Sequence, residues 1–262
     1  MFVDAVIFIL SGIGFAALLA AAMHLIPPGR PARAHHPDAE AEGRKELLDR
    51  IVTLVGGVFA FLLGFVIVTN LGTMNTARQT TVDEANGLSQ IYSAAHELPQ
   101  PEHTLIRTQL QTYVKTVINT EWPLMAKHEL SESAWQQITT VRDEIYSSPE
   151  GSPRVTMAQG QMLAGLNTAV SARRSRAMQA TQGMPACLWW LLITFGAILL
   201  LMPVLKGISF TRANMAYYLL FGGLIGVALW FVFELNYPFS GGLTVHPDAF
   251  TLLLQQWTPP SQ

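Results

Sequence analysis

The side chains that could do chemistry in this sequence are sparse, and their spacing excludes most of the familiar kinds. Seven histidines are scattered at His24, His35, His36, His96, His103, His128 and His246. The adjacent pair His35-His36 would point apart on a helix, which is not the spacing a metal needs. A single cysteine, Cys187, excludes an intramolecular disulfide and any multi-cysteine metal site. There is no glycine-rich phosphate loop, no nucleophile elbow and no paired zinc-ligand motif. The sequence therefore predicts no enzyme, no metal and no cofactor.

Composition says where the remaining candidates must sit. The 262 residues are 50% hydrophobic and 13% charged, about half the charge of an ordinary soluble domain. A net charge of −2 with 16 basic residues leaves no surplus for nucleic acid. A bilayer core needs roughly 20 mostly apolar residues in a spanning helix. Four stretches qualify, giving transmembrane segments over 1–26 (apolar from Ala5 to Ile26), 51–73, 186–205 and 215–235. The first lacks the basic start of a signal peptide and reads as a retained helix.

Orientation follows from Lys and Arg in short loops. Residues 27–50 carry Arg30, Arg33, Arg44, Lys45 and Arg50, and the loop 206–214 carries Lys206 and Arg212. Both are read as cytoplasmic, the first as a polar linker. That leaves both termini, residues 74–185 and the tail 236–262 outside. Arg78, Arg173, Arg174 and Arg176 flank the outer segment and enter this reading only as charges against it.

Residues 74–185 have helical periodicity throughout. Val82, Ala85, Leu88, Tyr92, Ala95 and Leu98 make one stripe, on a helix that continues from the second span because no breaker separates Thr73 from Val82. Leu98-Pro99-Gln100-Pro101 ends it. A second helix carries Ile106, Leu110, Tyr113 and Val117 and meets Trp122-Pro123, where proline kinks or ends it. A third begins near Ser133, with Gln136 completing a capping box, and a fourth follows Ser152-Pro153. The predicted fold is all-α: four transmembrane helices, two before and two after an inserted extramembrane helical bundle.

Within that frame a few residues are singled out. The span interiors hold no charge. Glu234, at a span end, is an outer-mouth carboxylate or a snorkelling interface residue. Phe61 and Phe65, one turn apart on span two, can form an apolar constriction that gates by dewetting, or pack against lipid and neighbouring helices. Gly56, Ala60 and Gly64, and Gly222 with Gly226, have the small-xxx-small spacing of closely packed membrane helices. This supports packing within the chain or a homo-oligomer.

Several segments together, Val82-Asp83-Glu84-Ala85, Leu98-Pro99-Gln100-Pro101, Tyr113, Glu121-Trp122-Pro123 and Glu234 to Leu243 with Val245, Pro247 and Phe250, carry a family resemblance over about residues 45–255. Their order and spacing resemble the bestrophin-like bacterial membrane proteins. The resemblance implies two helices before and two after a helical domain, and residence in a bacterial inner membrane. Bestrophins proper are oligomeric anion channels whose second helix lines a hydrophobic neck, and they keep the inter-span region in the cytoplasm, opposite to the charge reading. The family usually has an aspartate where this chain has Asn236, which weakens any cation-binding or turn-holding role of a carboxylate there. Glu84, Glu121, Trp122, Glu234, Asn236, Pro238, Phe239, Ser240 and Gly241 form a candidate membrane-junction or ligand site, as a docking and turn motif or as a binding site.

Two functions fit: an oligomeric ion channel, or a membrane-anchored sensor or scaffold whose helical outer domain binds a ligand or partner protein. The expected partners are the lipid bilayer, further copies of the chain and an ion or small ligand.

Overall fold

The computed structural model describes residues 37–148, 151–207 and 211–258, with side chains from residue 42 onward. All regular elements among them are helical. The first predicted span, Ala5–Ile26, lies outside the described residues. Chain order gives α1 (Pro37–Ala94), a 3₁₀ turn (Ala95–Glu97), α2 (Glu102–Thr116), a π turn (Val117–Glu121), α3 (Trp122–Met125), α4 (Glu132–Ser147), α5 (Pro153–Thr181), α6 (Ala186–Leu205), α7 (Arg212–Glu234) and α8 (Asp248–Trp257).

The polar linker expected over 27–50 is already helical from Pro37. Alanine, glutamate and lysine favour helix there, and proline is tolerated in a first turn. From that start α1 runs unbroken through the second predicted span and into the first bundle helix. The start of α4 also differs from the sequence reading: Ser131, not Ser133, is the cap, and its Oγ accepts from the Ala134 N–H.

The chain divides into two compact units. Of the described residues, the span unit comprises those up to Asn70 together with those of Met184–Asn236. Its core is formed by Phe59 and Val66 of α1, Leu192, Leu199 and Leu200 of α6, and Ile225 and Val232 of α7. Gly196 brings α6 and α7 together, since a Cβ there would lie 3.3 Å from Ile225. At its ends, Thr211 caps α7 and Lys206 pairs with Asp49. Three helical stretches, Glu42–Glu97, Pro153–Leu205 and Arg212–Glu234, are long and apolar enough to cross a membrane. Only 11% of the most apolar window of the first is buried within the chain. A surface that apolar requires lipid or another protein surface around it.

The bundle unit comprises Leu71–Gly183 and the residues from Tyr237 onward. Leu88 and Ile91 of α1, Ile106 and Leu110 of α2, Ile138 and Val141 of α4, Met162 of α5 and Phe250 of α8 share one core. Each such side chain contributes roughly 1.5–3 kcal/mol on burial. Two glycines set the distance between α1 and α5. A Cβ on Gly87 would lie 2.6 Å from the Gly165 carbonyl oxygen, and one on Gly165 would lie 2.7 Å from the Gly87 carbonyl oxygen. The two backbones touch.

A candidate functional site in the bundle core

Where α1 and α5 meet, the apolar core gives way to charge. Glu84 of α1, Tyr113 of α2, Glu121 of the π turn, and Arg173 and Arg176 of α5 are all buried. Arg173 and Arg176 are three residues apart, so one face of α5 presents both. The α1–α5 contact three residues beyond Glu84, at Gly87, holds that face near the carboxylate. Around Val117–Glu121 the helix widens to a π turn. Pro123 contributes to this, because it has no N–H to return to the preceding turn. In and after that wide turn Val117, Glu121, Trp122 and Met125 are all buried.

The geometry is a closed network. Arg176 forks onto Glu84, with Nε 2.8 Å from Oε2 and Nη2 3.0 Å from Oε1. Its Nη1 lies 3.2 Å from Glu121 Oε1 and donates to the Met125 sulfur at 3.1 Å. Arg173 Nη1 donates to Glu121 Oε2 at 2.6 Å and to the Tyr113 hydroxyl at 3.0 Å. That hydroxyl in turn donates to Glu84 Oε1 at 2.6 Å. Rings close the remaining sides: the Arg176 guanidinium sits 5.3 Å from the Trp122 centroid and 5.6 Å from that of Phe250. Trp122 is itself fixed, with Nε1 donating to the Val245 carbonyl at 3.1 Å and its ring edge-on to Phe239.

Two guanidiniums and two carboxylates make the cluster neutral, which is the condition for burying it at all. Burial, and next the Glu84 carboxylate, push the Tyr113 phenol well above its ordinary value, so it remains the proton donor in this network. For Arg176, burial opposes the charged form, and Glu84 and Glu121 outweigh it, holding the guanidinium above its ordinary value. Three of the four carboxylate oxygens accept hydrogen bonds, and the fourth, Glu121 Oε1, has only its ion-pair contact with Arg176 Nη1. What this arrangement does chemically is to lock α1, α2, the π turn and α5 in one geometry.

A second polar cluster lies at the start of α2. Burial first, then the charges of Arg107 and His96, lower His103 below its ordinary value. That keeps Nε2 available to accept from Arg107 Nη1 at 3.0 Å. The Arg107 guanidinium covers one side of the Tyr92 ring at 3.9 Å, and Trp257 of α8 stacks on the ring at 4.1 Å. The stack fastens α8 to the bundle.

Of the residues singled out in the sequence, Glu84, Glu121, Trp122 and Phe239 are brought together in the bundle core. Pro238, Ser240 and Gly241 make the turn that carries Phe239. The Pro238 carbonyl accepts from the Val245 N–H at 2.8 Å, the Ser240 N–H donates to the Tyr237 carbonyl, and Gly241 has φ +83°. Only glycine adopts that conformation without strain. Glu234 and Asn236 belong to the span unit, where both are buried and Asn236 Oδ1 accepts from the Met184 N–H at 2.7 Å. An amide oxygen performs that task as an aspartate would. Phe61 and Phe65 are 71% and 54% exposed on α1. A Cβ on Gly56 would make an ordinary contact with Leu199, one on Gly64 would meet nothing within 4 Å, and Gly222 and Gly226 are buried on α7.

Arg173 and Arg176 were missed as members of the cluster. The signal was present: residues 155–172 contain no charge, and two arginines at helical i, i+3 spacing then follow. Charges isolated on such a helix face inward when carboxylates await them.

Comparison with known proteins agrees with this architecture. A bacterial bestrophin homologue from Klebsiella pneumoniae, solved as a single-substitution variant, matches with a TM-score of 0.66 at 14% sequence identity, over 98% of this chain and 99% of its own. A second variant from that organism gives 0.64 at 12% identity, over 97% and 98%. A crystal structure of a membrane protein variant gives 0.64 at 13% identity, again over 97% and 98%. At these identities the likeness shows the fold. Comparison with curated proteins gives no match. The Bestrophin-like domain profile, however, matches residues 16–250, and on that span the chain belongs to the bestrophin-like family.

Proposed function

We propose that the chain is a multi-pass protein of the bacterial inner membrane that assembles with copies of itself into an ion channel. In this reading it has four spans, the first at Ala5–Ile26. Both basic loops are cytoplasmic, and the bundle and both termini lie outside, as the Lys and Arg distribution favours. Copies of α1 surround the axis, Phe61 and Phe65 form the apolar constriction, and the bundles form a vestibule.

The observation that carries this reading is the outward face of α1. Leu47, Leu54, Phe61 and Val68 are spaced by seven residues, and each is at least 59% exposed. Val58 and Phe65, at intermediate steps, are exposed as well. A stripe repeating every 3.5 residues is the pattern of helices that supercoil around one another. A helix that met only lipid would have no need of that period. The family's resemblance to bestrophins supports conduction, as analogy.

Full-length protein in liposomes tests it. Ion flux above that of empty vesicles is expected, and Phe61→Ala or Phe65→Ala should raise it several-fold by removing apolar bulk at the constriction. Liposomes that stay silent across several ions and pH values would refute conduction.

A further inference from the structure

Resting on the channel reading above, we infer that the bundle end of α1 is the charge-neutral, amide-lined wall of the ion path. Asn75, Gln79 and Asn86 are its polar contacts. The path beyond the constriction therefore admits small ions of both signs, with no charge filter of its own.

The argument is one of register. Continuing the seven-residue phase of Leu47, Leu54, Phe61 and Val68 reaches Asn75, Val82 and Ser89. Continuing the companion phase of Ile51, Val58 and Phe65 reaches Gly72, Gln79, Asn86 and Ser93. None of these positions, before or after Val68, is buried. A stripe that served only lipid would lose its period past the span, where the same helix becomes part of a polar bundle. Here the period holds while the residue types change from apolar to amide and small, with exposed Val82 the one exception.

Charge is the second observation. Between Leu47 and Ser93 the helix carries Asp49, Arg50, Arg78, Asp83 and Glu84, and none of them falls on either phase. Arg50, at the far end, and Arg78 and Asp83, past the span, come nearest, one position off, the last two with opposite signs. The Gln79 amide holds Asp83, with Nε2 2.8 Å from Oδ1. Glu84 is turned inward to Arg176. An amide offers a carbonyl oxygen to a cation and an N–H to an anion, so copies of Asn75 and Asn86 facing a common axis can solvate either.

Planar-bilayer recording of the full-length protein in asymmetric KCl tests this. The wild type should reverse near zero voltage. Asn75→Asp or Asn86→Asp should move the reversal toward the potassium equilibrium potential, and Asn75→Lys or Asn86→Lys toward that of chloride. Both positions changed are exposed side chains, and size-exclusion profiles matching wild type would confirm intact assemblies. Asn75→Cys, in a chain with Cys187→Ser, should also lose current on exposure to a polar thiol reagent. A wild type already reversing at one ion's equilibrium potential would overturn the inference. So would charge variants that leave the reversal unmoved while Phe61→Ala still alters conductance, and in that case the channel reading survives. A wild type without any current would overturn both.

Discussion

Arg176→Met is expected to destabilise the protein by about 3–5 kcal/mol, the cost of leaving a buried charge without its partner. Glu84 is fully buried and takes both of its guanidinium bonds from Arg176. Without them only the Tyr113 hydroxyl remains to it. The variant also leaves Glu121 with Arg173 alone. Replacing both members of the pair, as Glu84→Leu with Arg176→Met, should cost less than Arg176→Met alone, because no carboxylate is then stranded. Thermal melting of the purified full chain reads the difference. A loss on the order of 10 °C is expected for the single variant, with partial recovery in the double. A double variant worse than the single, or a single variant melting like wild type, would show that the pair is not the lock described here.

The second large effect is a contrast between glycines on one helix. Gly165→Ala places a Cβ 2.7 Å from the Gly87 carbonyl oxygen, and a backbone atom of a packed helix cannot swing aside. The helices must separate, at a cost of about 1–3 kcal/mol or more. Arg176 lies eleven residues along α5, about 16 Å at the helical rise, so the separation also loosens its fork on Glu84. Gly160→Ala, in the same helix, meets nothing within 4 Å. It should stabilise by up to about 1 kcal/mol through helix propensity alone. Melting temperatures should therefore move in opposite directions. Shifts of the same sign would mean that α1 and α5 do not meet at Gly87.

These two cases also mark what could be read from residues alone. Helix positions followed from apolar periodicity, and the continuity of α1 from the absence of a breaker after Thr73. The buried network did not follow. Periodicity reports which face of a helix is apolar, and Arg173 and Arg176 entered as flank charges because a charge is ordinarily solvated. Their partners lie 92 and 52 positions away in the chain, for Arg176 with Glu84 and Arg173 with Glu121. No local pattern encodes such a separation. Glu84 and Glu121 were placed in one candidate site through family resemblance, while the cations that complete it were not. Nothing in the sequence around Gly87 and Gly165 marks them for close approach, which appears only once the opposing helix is known. The linker over 27–50 misled in another way: prolines near its start masked good helix formers after Pro37.

The neutral lock and the exposed stripe have complementary roles in this account. The lock fixes α5 against α1 within the bundle unit. In the proposed assembly the stripe of the span unit meets its copies. The most direct test is a structure of the full-length protein embedded in lipid nanodiscs. The account predicts several copies arranged around one axis, with α1 innermost and Phe61 and Phe65 facing that axis. A single copy, or an assembly in which Phe61 and Phe65 face lipid, would contradict it.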